Sequence, residues 1–136
     1  MIDWESGCYS PRADAWRYLD DDDDVDVEVF VPGHIGEPNE HWLRIARETM
    51  NDMHRHHAAA KQSMDRFIDR SRITAHAQWE VDSIVFGSSA GANTVRMVIY
   101  YRIEGDEYAL WSVAFQATGC PAPNDLHPVS FSRQTQ

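Results

Sequence analysis

The chain has 136 residues, 12 of them basic and 22 acidic, and a formal net charge of −10 at pH 7. This length predicts one domain over residues 1–136, and the negative charge disfavours nucleic-acid binding, which relies on Lys and Arg to neutralise phosphates. No stretch approaches the ~18 consecutive apolar residues of a membrane span, and the N-terminus lacks a basic region followed by an apolar run, so we expect a cytoplasmic protein with no membrane partner.

The negative charge is concentrated near the N-terminus. Residues 1–40 contain twelve acids and two bases and carry the whole net charge, whereas residues 41–136 contain ten of each. Because contiguous like charges repel one another and resist packing, we expect the acidic segment 1–24 to be partly irregular. Its densest part is the run Asp20, Asp21, Asp22, Asp23 and Asp24.

A short helix, a strand and a long helix are predicted over the first half of the chain. The short helix is predicted within residues 10–19, where Ser10 and Pro11 fit the cap and the first helical position. Residues 25–31 alternate apolar and polar side chains, which predicts a half-buried strand with its valines on one face. From Pro38 to about Arg72, apolar residues recur at spacings of three and four with no internal Gly or Pro, which predicts one amphipathic helix of about nine turns. Its apolar stripe consists of Leu43, Ala46, Met50, Met53, His57, Ala60, Met64 and Phe67.

Strands are predicted over the second half. Residues 74–86 are strand-like, and their alternation slips at Asp82-Ser83, which indicates a bulge. Residues 94–104 and 108–117 form a predicted hairpin with a two-residue turn at Gly105-Asp106, and a short edge strand is expected at Val129 to Phe131. The predicted inward-facing residues of the hairpin are Val95, Met97, Ile99, Tyr101, Ile103, Ala109, Trp111, Val113 and Phe115.

Strand, helix and then three or four strands is the order of an α+β fold of cystatin-like layout. In such a fold, a long amphipathic helix packs on an antiparallel meander sheet, which buries the helix stripe. The likeness concerns layout alone, and a fold does not determine a function.

The motifs of common catalytic and metal sites are missing from the sequence. His54, His56 and His57 meet only part of the ligand spacing that a tetrahedral zinc site requires, and we expect them to be a solvated helix face plus one core histidine, His57. Cys8 and Cys120 have no catalytic motif around them, and residues 87–91, GSSAG, do not form a nucleophile elbow. We therefore expect no metal, no cofactor and no enzymatic activity.

The aspartate run has two interpretations, which the sequence leaves evenly balanced. One is a hydrated connector. The other is an electrostatic docking surface for a basic protein, because the acids continue along the polar face of the following strand and aromatic residues lie nearby, as at interface hot spots. The candidate partner-binding residues are Trp16, Tyr18, Asp20, Asp21, Asp22, Asp23, Asp24, Asp26 and Glu28.

Three stretches of the C-terminal half carry a resemblance to a known class of proteins. They are SIVFG at residues 83–87, GDEYALWSVAF at 105–115 and HPVSFSR at 127–133. With them, the chain resembles the immunity proteins of bacterial polymorphic and contact-dependent inhibition toxin systems. The resemblance implies a protein that neutralises one cognate toxin by binding it, and many such toxins are basic nucleases. It assigns no role to any individual residue.

Two alternatives remain open. A small molecule could bind, or be transformed, in the cone between helix and sheet, where Tyr100, Arg102 and His76 would supply convergent polar groups. The other alternative is an accessory protein that self-associates through its helix surface.

Overall fold

The computed structural model describes residues 2–20, 26–65, 77–88, 94–118 and 126–135. Within these ranges, eight strands form one sheet and two helices accompany it. In chain order the elements are β1 (Cys8–Ser10), β2 (Ala15–Asp20), β3 (Val27–His34), β4 (Glu37–Pro38), α1 (Glu40–Met50), α2 (Met53–Asp65), β5 (Trp79–Gly87), β6 (Thr94–Ile103), β7 (Ala109–Thr118) and β8 (His127–Thr135).

The sheet is mixed, with the strand order β1-β2-β3-β5-β6-β7-β8 and β4 paired to β3. Strands β3 and β5 are parallel, whereas every other pairing described is antiparallel. Parallel neighbours need a long crossover connection, and here the chain between β3 and β5 contains β4 and both helices. The predicted fold class is therefore wrong: a large mixed sheet with two short helices replaces the long helix on an antiparallel meander.

The predicted long helix is interrupted. Helix α1 begins after Asn39, whose side-chain oxygen accepts a hydrogen bond from the Trp42 N–H at 3.2 Å, and it ends at Met50. The Asp52 N–H then donates to the Thr49 carbonyl at 3.0 Å, which tightens the chain before α2 starts. Asn and Asp favour such breaks because their side chains compete for backbone hydrogen bonds. The apolar spacing could not reveal the break, because buried residues continue on both sides of it.

The predicted N-terminal short helix is also wrong, because this segment forms β1, a turn and β2. In β2, Trp16 and Tyr18 pair with Val31 and Val29 of β3. The alternation of aromatic and charged residues in this segment therefore belongs to a strand and not to a helix. Asp14 turns the chain with a φ of 48°. A Cβ on Gly7 would lie 2.3 Å from the Tyr18 ring, so the backbone packs directly on that side chain.

The sequence pattern correctly predicts which residues of β6 and β7 face the core. All nine predicted inward positions are buried, together with Val29, Val31, Ile84 and Phe86 of the neighbouring strands. The bulge is confirmed by a register shift between Val81 and Ser83. The two-residue turn is wrong, because five residues, 104–108, separate β6 from β7, with Gly105 at φ 94°. The predicted short edge strand is the nine-residue β8.

Candidate functional site

The candidate site lies where neighbouring strands of the sheet end at different levels. Strand β3 begins at Val27, and its described pairing with β5 joins Glu28–Phe30 to Ser83–Val85. Because the two strands are parallel, the first residues of β5, Trp79–Val81, extend beyond the beginning of β3. Strand β2 ends at the same level, since Asp20 pairs with Val27. In the part of the chain that the structure describes, the two N-terminal strands therefore stop short of β5 and β6 and leave a gap beside them, which we call the notch.

The notch is a cleft of about 860 Å³ that opens to solvent. Its volume lies within the roughly 300–1,000 Å³ range of ligand pockets. It is lined by Asp20, Val27, Lys61, Ala77, Gln78, Trp79, Glu80, Val81, Arg102, Ile103, Glu104 and Glu107. Residues from β2, β3, α2, β5, β6 and the β6–β7 turn thus meet at one place.

Among the described residues that line the notch, carboxylates outnumber cations. The acids are Asp20, Glu80, Glu104 and Glu107, and the bases are Lys61 and Arg102. Arg102 lies 3.6 Å from Asp82, a carboxylate outside the lining, while in the described ranges Glu80 and Glu104 form no side-chain hydrogen bond or ion pair. Exposed carboxylates without partners give the notch a negative potential that attracts cations.

One wall of the notch is aromatic. The Trp79 indole is half-buried and packs edge-on against Tyr101, with ring centroids 5.4 Å apart. The Lys61 ammonium lies 5.6 Å from the centroid of the Trp79 ring, which is the geometry of a cation–π contact. This wall can therefore hold a cation, and in the free protein it holds one from the chain itself.

The candidate residues from the sequence fall into three groups. Tyr18 is 2% exposed and belongs to the core, and the half-buried Trp16 donates its indole N–H to the His34 carbonyl at 2.9 Å. Glu28 is paired with Arg17 on the sheet face opposite the helices. Asp20 lines the notch, and Asp26, directly before Val27, is exposed.

Asp21, Asp22, Asp23 and Asp24 lie outside the described residues. Their attachment points are nevertheless defined, because Asp20 and Val27 are paired and both line the notch. The segment with the four aspartates therefore begins and ends at the notch.

The pocket expected from Tyr100, Arg102 and His76 is not formed between the helices and the sheet. Tyr100 and Arg102 alternate on β6 with the buried Ile99, Tyr101 and Ile103, so they lie on the other face. Tyr100 lines a smaller hollow of about 280 Å³ on that face, and His76 lies outside the described residues. Arg102 contributes to the notch instead.

Two histidines of α2 are directed inward. His57 Nδ1 lies 2.8 Å from the Tyr101 hydroxyl, and burial lowers the pKa of His57 to about 4. His56 is 2% exposed and packs edge-on against Phe115, and its burial, like that of His57, lowers its pKa. The sequence predicted one core histidine and missed His56, because the stripe placed it off the apolar face. Among the described residues, no group of three or more potential ligands could hold a metal ion.

Sequence reasoning also missed the residues that make the notch. Glu104, Glu107 and Trp79 were not among the candidate residues, and no local signal links them to Asp20 or Lys61. Only the offset between β3 and β5 brings them together.

Among the described residues, no helix is long and apolar enough to cross a membrane. Comparisons with models of protein families, with curated proteins and with solved structures found no match.

Proposed function

We propose that this chain binds a basic protein and neutralises it, in the manner of an immunity protein acting on its cognate toxin. The observation that carries the proposal is the gathering of Asp20, Glu80, Glu104 and Glu107 around one cleft. Acids that are far apart in the sequence thus act as one surface, and the aspartate run is attached to its edge.

Electrostatics supports this partner. A nuclease toxin has a cationic active site because it binds phosphate, and carboxylates can occupy such a site in place of phosphate. A one-sided negative field raises association rates by 10- to 1,000-fold at low salt. The net charge of −10 lies entirely in residues 1–40, which include one side of the notch.

The proposal includes cytoplasmic residence and no catalytic activity. The inward donor–acceptor pair His57 and Tyr101 is poorly suited to proton transfer at neutral pH. Burial lowers the pKa of His57 to about 4 and raises the pKa of Tyr101, whereas an efficient acid or base titrates near the working pH.

Co-expression with the product of the neighbouring gene tests the proposal. We expect a basic protein to co-purify and its association to slow steeply as salt increases, because exposed charges are screened. Replacement of Asp21, Asp22, Asp23 and Asp24 by Asn is expected to slow association by at least about tenfold at low salt and to flatten the salt dependence.

A matched control removes four charges from acids that do not line the notch, Glu5, Glu37, Glu40 and Glu48, by replacement with Gln. This control has the same net charge as the aspartate variant. If the two variants slow association equally, total charge and not the acidic surface near the notch controls binding. If no basic protein binds the wild type, the proposed function is wrong.

A small-molecule site in the notch is the second candidate, because the cleft volume of about 860 Å³ fits a small ligand. Such a ligand would raise the thermal midpoint of unfolding. An uncharged ligand would do so equally in the wild type and in the Asp21–Asp24 variant and would be insensitive to salt, which separates the two functions.

A further inference from the structure

We infer that the notch is a strand-addition site, in which an extended basic segment of the partner pairs with the backbone of β5 at Trp79 and Val81. The identity of the occupant rests on the proposed function. The pairing itself rests on the geometry of β5.

The direction of the β5 backbone groups follows from its pairing with β6. The Glu104 N–H donates to the Gln78 carbonyl at 2.9 Å, so the polar backbone groups of Gln78 point toward β6. Peptide groups alternate sides along a strand, and Glu80, opposite Arg102, therefore also points toward β6. The N–H and C=O groups of Trp79 and Val81 point the other way, into the notch.

These groups have no partner in the part of the chain that the structure describes. The described pairing with β3 extends over Ser83–Val85 of β5, and the last described pair of β2 and β3 is Asp20 with Val27. An unpaired strand edge is a template for another strand, and main-chain pairing to such an edge is an established mode of peptide recognition. The notch thus offers two donors and two acceptors in line with β3.

The side chains at this edge favour a basic occupant. Trp79 and Val81 lie on the helix side of β5 and Glu80 lies on the other, since Val81 pairs with Tyr101 and Glu80 with Arg102. An added strand would present alternate side chains to the same two sides. On one side a cation can replace Lys61 over Trp79, and on the other it meets Glu80, which has no ion-pair partner among the described residues.

A second copy of this chain is a poor occupant. Each copy carries a net charge of −10, and like charges oppose self-association. A basic segment of another protein is therefore the occupant to which the geometry and the charge both point.

The test measures amide hydrogen exchange by NMR in the full chain with the probe peptide acetyl-Arg-Val-Arg-Val-Arg-amide. We expect the amides of Trp79 and Val81 to exchange at least about tenfold more slowly with saturating peptide, because they gain hydrogen bonds. The Glu80 amide, which already faces β6, is an internal control and is expected to change little.

Two control peptides separate backbone pairing from charge. A peptide that is N-methylated on alternate residues cannot donate hydrogen bonds along one of its two edges. There are two such peptides, one for each edge, and with at least one of them we expect the amides of Trp79 and Val81 to lose their protection. A peptide with citrulline in place of arginine keeps the backbone and the size but not the charge, and it is expected to bind at least about fivefold more weakly.

Unchanged exchange at Trp79 and Val81 with saturating arginine peptide would overturn the inference. Equal protection of Glu80 would also overturn it, since that pattern indicates general stabilisation. Co-purification of the neighbouring gene product is scored separately. If that protein binds and its binding depends on Asp21–Asp24, but the two amides stay unprotected in the complex, the proposed function survives and strand addition does not.

Discussion

The two sides of the β6–β7 turn use carboxylates in opposite ways. On the side facing β8, Asp106 accepts hydrogen bonds from Arg133 Nε and Nη2, each at 2.8 Å, and from the Trp111 indole at 2.8 Å. On the side facing the notch, Glu104 is exposed and has no ion-pair partner in the described ranges. A single residue, Gly105, separates a carboxylate that stabilises the fold from one that is left for solvent or for a partner.

The difference teaches that acidity alone does not mark a binding surface here. Only 13% of the Asp106 side chain is exposed, and its partners come from two strands, so its charge is compensated. Within the described ranges, the charges around the notch are compensated only in part, and the backbone of β5 at Trp79 and Val81 has no partner strand. Polar groups left without partners in a folded protein are the ones available for binding.

Loss of the Asp106 carboxylate is expected to have the largest effect. In Asp106→Ala, the N–H of Trp111, a residue only 6% exposed, loses its partner, and this alone costs about 1–3 kcal/mol of unfolding free energy. Urea denaturation measures the change. Glu104→Gln, two residues away, is the matched control and is expected to stay within about 0.5 kcal/mol of the wild type. Equal effects of the two substitutions would remove the contrast between the two sides of the turn.

Acid is expected to lower the free energy of unfolding through protonation of His57, whose side chain lies between helix α2 and the sheet. Its pKa is about 4 in the folded chain and 6.5 as a reference value, so the unfolded state binds a proton first. The contribution of His57 is therefore fully present above pH ~6.5 and is lost as the pH falls toward ~4. In His57→Asn, which keeps a hydrogen-bonding group near the Tyr101 hydroxyl, the urea midpoint should fall less over this window. A parallel fall in variant and wild type would show that His57 is not the sensor.

Removal of the negative charges of the notch is expected to change the rate of association with the partner and not the stability of the fold. Combined Glu80→Gln, Glu104→Gln and Glu107→Gln should slow binding of the basic partner by about tenfold at low salt, because steering depends on charge near the contact. Stopped-flow fluorescence measures the rate, and urea denaturation serves as the control for the fold. An unchanged rate together with an unchanged salt slope would show that the notch is not where the partner binds.

The smallest expected effect concerns the cation already over Trp79. Lys61→Met removes the ammonium and keeps most of the apolar stem, so an incoming arginine no longer competes with it. A cation–π contact at an exposed site is worth about 0.5–1 kcal/mol, which corresponds to about two- to fivefold tighter binding of acetyl-Arg-Val-Arg-Val-Arg-amide. Titration calorimetry measures this change. Weaker binding by Lys61→Met would mean that Lys61 contacts the occupant and does not compete with it.

Part of this molecule could be predicted from local pattern. The alternation in residues 94–104 and 108–117 correctly placed Met97, Ile99, Val113 and Phe115 in the core, and the slip at Asp82-Ser83 correctly placed a bulge. The same reasoning failed within the helix predicted over residues 38–72, because the stripe continued across the break at Asn51 and Asp52; residues 66–72 of that prediction lie outside the described residues. It also failed for Trp16 and Tyr18, whose strand was taken for a helix beside a proline.

The sequence by itself determined which side of each C-terminal strand is buried, because side-chain direction depends only on the period of two along a strand. It also determined that the negative charge lies in the first 40 residues. The tertiary structure alone decided that β3 lies beside β5, and how far the two are offset, because that pairing depends on burying both strands at once and not on any local spacing. The notch exists because of that offset, so its acids, its tryptophan and the backbone of Trp79 and Val81 have no joint signature in the chain.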